Sequence, residues 1–194
     1  MDKHQQTDEN ITNLGPLARL VGTWEGDSGK DLSPGMPDRM KTDAATFRGR
    51  WTFKSIGHAQ NHDQHLYGLS CSTTAWRLSN GEAFHEQTGY WLWDAANKQV
   101  LNTYVVPRGI SIQAGGTAEP DATRFELVAD AGSETYGICQ NPFLHANFKV
   151  VRYVLKLTLH DDDSFDYEQD IRLQIKGRPG LFHHTDSNHL KRVG

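Results

Sequence analysis

A chain of 194 residues with a 37% hydrophobic and a 23% charged fraction is sized for one globular domain, whose core would bury roughly 70% of the unfolded surface. A mean hydropathy of -0.64 and the lack of any apolar run near the ~18 residues of a spanning helix argue against a membrane partner. A net charge of -4 and a pI near 6.2, with no clustered basic face, argue against nucleic acid.

In chain order, residues 1–13 read as a polar, mobile tail without the apolar stretch of a signal peptide. The barrel domain described below is assigned to residues 14–194. Leu14 to Leu20, with Pro16, suits one short helical turn, and Val21 to Gly26 opens a strand. The Gly-, Ser- and Pro-containing passage from Asp27 to Thr42 reads as a loop. Thr46 to Phe53 alternates, with Phe47, Trp51 and Phe53 on one face. Leu66 to Arg77 is the next strand, and Asn80-Gly81 marks a hairpin turn.

Strands continue at Phe84–Trp93, Val100–Val106, Gly109–Ala114 and Phe125–Ala129. Two long strands follow the Asn141–Leu144 passage. In the second, Phe165, Tyr167, Ile171, Leu173 and Ile175 alternate with Asp166, Glu168, Asp170, Arg172 and Lys176. One buried and one solvated face is the mark of an antiparallel sheet. A last strand runs from about Thr185 to Val193. About ten short strands without a long amphipathic helix predict an all-β fold. Closure into a single antiparallel up-and-down barrel removes the edges that so many strands would expose.

Cys71 and Cys139 lie far apart and form no Cys-x-x-Cys pair, which disfavours a zinc ribbon, a thioredoxin-type site and covalent haem attachment. Two reduced, buried thiols and a cytoplasmic location are expected. No nucleophile elbow, Gly-rich phosphate loop or EF-hand loop is present.

Ten histidines are the remaining chemistry. His58, His62 and His65 have spacings that could gather a metal on a helix, but they lie between two strands and read as a solvated loop. His160, beside Asp161–Asp163, is expected to be exposed. His183, His184 and His189 flank the last strand, where adjacent residues point to opposite faces. One inward imidazole there is either a haem iron ligand or a hydrogen-bonded structural histidine. His85 shares a face with Gln87, Gly89 and Trp91, opposite Phe84, Glu86, Thr88 and Tyr90. Its strand suits a partly polar cavity or a packed rim.

Leu17-Ala18-x-Leu20-Val21-Gly22-Thr23-Trp24-Glu25-Gly26, the central Phe84-His85-Glu86-Gln87-Thr88-Gly89-Tyr90-Trp91, Pro107-Arg108-Gly109 and the closing His184 to Arg192, in this order, resemble the nitrobindin-like proteins. These are the THAP4-type haem-binding β-barrels, similar to fatty-acid-binding proteins and lipocalins. The resemblance runs from Leu14 to Val193. It implies a barrel of about ten strands whose mouth holds haem b, binding of nitric oxide or related diatomics, and isomerisation of peroxynitrite to nitrate. It implies His184 as the iron ligand and His85 as the residue on the opposite side of the haem, with Asp186 or Asn188 orienting the ligand imidazole. The family's ligand register, counted back from the terminal leucine and arginine, falls on Thr185. His184 therefore needs a β-bulge before Leu190 to share that direction, and His183 is the alternative. The competing function is a haem-free barrel carrying a small hydrophobic ligand.

Overall fold

The structure, a computed structural model, describes residues 11–193. A 3-10 turn, Gly15–Leu20, precedes strands β1 (Gly22–Pro34), β2 (Thr42–Asn61), β3 (Gln64–Arg77), β4 (Ala83–Asp94), β5 (Gln99–Val106), β6 (Ile110–Thr117), β7 (Arg124–Asp130) and β8 (Ile138–Gln140). A short helix α1 (Pro142–Asn147) leads to β9 (Phe148–Leu159), β10 (Ser164–Ile175) and β11 (Phe182–Arg192). Neighbouring strands pair antiparallel in the order β1-β2-β3-β4-β5-β6-β7-β9-β10-β11, and β11 returns to β1, closing a ten-stranded barrel. The three-residue β8 is an appendage on the start of β6. Among the described residues no helix is long and apolar enough to cross a membrane.

The closed all-β barrel expected from the alternating strands is what forms. Several boundaries differ. The loop expected from Asp27 is mostly strand, because the ladder between β1 and β2 skips a step between Gly26 and Gly29 and then continues to Pro34. That bulge puts Asp31, rather than its neighbours, on the buried face. The segment from Gly57 to His65 is the tip of a long hairpin rather than a loop, and its histidines are exposed as expected, with His62 at the turn. The last strand starts at Phe182, three residues earlier than expected. Cys71 is buried as expected, but Cys139, in the marginal β8, is exposed; both are free thiols. Of the tail expected over residues 1–13, residues 1–10 lie outside those described.

The two ends of the barrel differ. At one end the 3-10 turn folds across the opening and sinks Leu14, Leu17 and Leu20 to zero exposure. Gly15 allows this approach. Its φ is +54°, and a Cβ there would lie 2.5 Å from the Trp93 indole nitrogen. The Trp24 indole donates to the Leu20 carbonyl at 2.7 Å, fixing the turn to β1. Beneath it Trp24, Trp51, Phe53, Trp91, Phe125 and Phe165 pack with ring centroids 5.0–6.5 Å apart. Their edge-to-face and tilted contacts pack the lumen at this end. The opposite end receives the β1–β2 loop, the β3–β4 turn, α1 and the β10–β11 turn. A smaller apolar cluster lies there: Val150, Leu173, Ile175 and Phe182, with Ile110, Ile138, Phe148 and Ile171 against it.

Candidate ligand site at the open end

The last strand alternates without interruption. Its register against β10 runs from Phe182 opposite Leu173 to Lys191 opposite Ser164, with no shift. Leu190 and Asn188 are buried, and Phe182 is buried at the other end, so the even-numbered residues face the lumen. His184 is one of them. No bulge is required, because inward parity follows from Leu190 itself; Thr185 is the outward residue. His183 points outward and donates to the Asp170 carboxylate at 2.9 Å, its side chain 54% exposed.

The His184 imidazole is held by a buried partner. Its Nε2 lies 2.9 Å from Oδ1 of Asp31, whose side chain is 6% exposed and whose other oxygen accepts from the Ser33 hydroxyl at 2.8 Å. Burial pulls the Asp31 carboxyl upward, but the hydrogen bond and charge of His184, the Ser33 hydroxyl and Arg77 outweigh it and hold the acid below its ordinary value.

Asp186 sits directly across from Asp31 on the neighbouring strand, so two carboxyls share one wall. Asp186 takes the opposite course. Burial pushes its carboxyl above the ordinary value and the Asp31 charge adds to this, against the Gln169 amide and the charges of His184 and His85. The Gln169 amide donates to Asp186 at 2.9 and 3.1 Å and accepts from the Tyr153 hydroxyl at 2.6 Å. Tyr153, Tyr104 and Tyr167 form the floor, their phenols kept neutral by burial above all. The expected partners of the imidazole, Asp186 and Asn188, are therefore otherwise engaged. Asn188 bonds the Gly26 carbonyl and accepts from the Ser28 hydroxyl.

His85 projects from β4, four strands away from β11 around the barrel. It shares the inward face with buried Gln87 and Trp91, and its Nε2 donates to the Gln87 side-chain oxygen at 3.2 Å. The ladder to β3 slips between Ala75 and Trp76, so Phe84 is an extra residue. It also turns to the core, against Phe47. Strict alternation had put Phe84 and His85 on opposite faces; the bulge brings both inside.

The rim carries three arginines, each lying over an aromatic ring: Arg39 over Phe148 at 5.0 Å, Arg77 over Phe84 at 4.6 Å and Arg178 over Phe182 at 4.3 Å. Beside Arg178 a depression of about 620 Å³ adds His145, Lys149 and Lys176. A larger one, about 880 Å³, belongs elsewhere. Lys30, Leu32, Lys156, Glu168 and Arg172 line it with their outward side chains, so it is a groove on the outer wall rather than the lumen. It holds no histidine, and the chemistry of the site lies at the mouth.

An inward imidazole, apolar walls and a cationic rim form a donor set suited to a flat, apolar, doubly anionic ring system. Residues 13–192 match the family described as the THAP4-like, heme-binding beta-barrel domain. This chain belongs to that family. Among solved structures, Rv2717c from M. tuberculosis superposes with a TM-score of 0.68 over 94% of this chain and 98% of that one, at 20% identity, which shows a shared fold. A beta-barrel-like protein of a domain of unknown function from Brucella abortus reaches a TM-score of 0.27 at 9% identity over 89% of this chain and 97% of its own, and carries no argument. No curated protein matches the sequence.

Within this haem-binding family the structure brings His85 and His184 to one end of one lumen, and leaves His183 outside. His58 and His65 stack on each other at 5.3 Å on the exposed hairpin, far along the chain from the mouth. Asp31, Gln169 and the rim arginines escaped the sequence reading. Asp31 lay in a supposed loop, and the arginines come from two turns and the end of β3, which only the closed barrel brings to one rim.

Proposed function

We propose that this protein binds haem b at the open end, with His184 as the iron ligand and His85 on the other side of the ring. His184 is the central observation: a single inward imidazole on the last strand, beside the apolar cluster of Val150, Leu173 and Phe182. These residues fit the group. The aliphatic and aromatic wall would exclude water from the porphyrin faces, and Arg39, Arg77 and Arg178 would take its propionates. Held by His184, haem b would supply the chemistry for binding nitric oxide or a related diatomic and, in the ferric state, for isomerising peroxynitrite to nitrate.

The protein's own part is to hold and release one nitrogen. The His184 Nε2 that would meet the iron is the nitrogen hydrogen-bonded to Asp31. Ligation through it requires that bond to open, leaving a buried carboxylate to find another partner. His85 would donate to a bound diatomic with the N–H it now gives to Gln87, so Gln87 fixes its tautomer in the free protein.

A second use of the same barrel, as carrier of a small apolar ligand, draws on two buried donors. The Trp51 indole nitrogen and the Asn102 amide nitrogen have no partner among the described residues, although both face the lumen. A guest bringing an acceptor oxygen to each, among apolar groups, would satisfy them.

Titration of the purified protein with haemin separates the two. A Soret shift saturating at one equivalent, lost in His184→Ala and kept in His183→Ala, is the expected result. The absence of any shift overturns haem binding, and a shift retained by His184→Ala overturns the ligand assignment.

A further inference from the structure

Outside the lumen, at the plugged end, three side chains converge that the haem site does not use. Asp166 on β10 lies directly opposite His189 on β11, and on its other side opposite Thr158 of β9. His160 stands two residues beyond Thr158, where the chain leaves β9 for the turn into β10. All three project from the outer wall. The His189 Nδ1 lies 2.7 Å from one Asp166 oxygen, and the His160 Nε2 lies 2.8 Å from the other. The three ligand atoms fall within 4.8 Å of one another.

We propose that His160, Asp166 and His189 form a binding site for a divalent late first-row metal ion, with zinc as the reference case. Two imidazole nitrogens and one carboxylate oxygen are the ligands such ions prefer, whereas calcium and magnesium favour oxygen alone. Zinc bonds of about 2.0–2.2 Å to nitrogen and oxygen place ligand atoms roughly 3.3 Å apart in a tetrahedron. The ligating carboxylate oxygen and the imidazole now bonded to it need to part by about half an ångström, and the second imidazole needs to close on both.

Both imidazoles keep the freedom to do this, with side-chain exposures of 38% and 42%. Each would move its proton to the other ring nitrogen and give its lone pair to the metal. The coordination positions facing solvent remain for water, so the site is an open one.

The backbone around the ligands is fixed in advance. The His160 N–H donates to the Ser164 carbonyl at 2.9 Å, and the His160 carbonyl accepts from Arg19. The Ser164 hydroxyl donates to Asp162, which closes the turn. Asp166 and His189 are held by the β10–β11 ladder. The acidic run Asp161–Asp163 adds negative field, although Arg19 and Arg192 pair with its first and last members. A cation bound here would staple the β9–β10 turn to the last strand, near the point where the barrel closes on β1.

Zinc titration of the metal-free, haem-free protein by calorimetry tests the proposal, with cobalt(II) absorption as a second measurement of the same ligand set. One equivalent should bind, and His160→Ala, His189→Ala and Asp166→Asn should each weaken it by more than about tenfold. Zinc should also raise the melting temperature of the wild type and not that of His189→Ala. His58→Ala, which removes a histidine of the exposed hairpin, should leave the affinity unchanged. Equal affinity in the three site variants and the wild type would overturn the assignment, as would loss of binding in His58→Ala. None of these readouts depends on haem.

Discussion

The two ends of this barrel are built from the same ten strands and solve opposite problems. At the plugged end, inward positions carry Trp24, Trp51, Trp91 and Phe165, and the 3-10 turn covers them with three leucines. The donors there are few, and the packing decides the energy. At the mouth, inward positions on the same strands carry Asp31, His85, Gln169, His184 and Asp186, joined by hydrogen bonds rather than by ring contacts. Strand β11 shows the change along its length, from Phe182 and His184 at the mouth through Asp186 and Asn188 to Leu190. One end stores stability, and the other exposes chemistry that a closed core could not tolerate.

The largest effect should come from breaking the plugged end. Trp91 is fully buried among Trp51, Phe53 and Phe125, so Trp91→Ala leaves a cavity that neighbouring rings cannot fill. A loss of about 3–5 kcal/mol is expected by urea denaturation. Phe182→Ala, at the rim, should cost clearly less stability and yet weaken haemin binding more. If both substitutions cost the same stability, the division of labour between the ends is wrong.

At the mouth, Asp31→Asn gives the next largest change. The carboxylate now holds the nitrogen proposed to meet iron, through a charge-assisted bond of a kind worth about 1.5–3 kcal/mol. Weakening that hold should tighten haemin binding by roughly tenfold, in line with about 1.4 kcal/mol per decade of affinity. The haemin titration described above reads it directly. Weaker binding in the variant would instead make Asp31 a support for the ligand imidazole.

Period-2 alternation identified the barrel because each long strand buries one face, and Phe165, Tyr167 and Leu173 announce it without ambiguity. It failed where the chain inserts an extra residue. The shift between Gly26 and Gly29 and the slip at Phe84 both reverse parity, and neither carries a residue pattern that distinguishes a bulge from a loop. The inward direction of His184 was legible once Leu190 was taken as the anchor, since the two are six residues apart on an unbroken strand. The partner of His184 was not legible, because Asp31 and His184 are 153 residues apart in sequence and meet only through barrel closure. The same holds for the three rim arginines, and for His160 and His189, which lie 29 positions apart.

The smallest effect should belong to Asp186, and its sign opposes that of Asp31. Burial raises the Asp186 carboxyl in the folded protein above its unfolded value. An acid of this kind contributes its full stability at pH values below the unfolded pKa, and that contribution is lost as pH rises through the folded pKa. Asp31, held below its ordinary value, contributes above the unfolded pKa and loses that contribution as pH falls. The two act in adjoining windows, Asp31 below the ordinary carboxyl value and Asp186 above it. In Asp186→Asn the decline that this carboxyl imposes as pH climbs from about 4 is gone, so stability should fall less with pH in the variant than in the wild type. Urea midpoints measured across that range provide the test, and an unchanged slope would mean that Asp186 titrates in the folded barrel as it does in the unfolded chain.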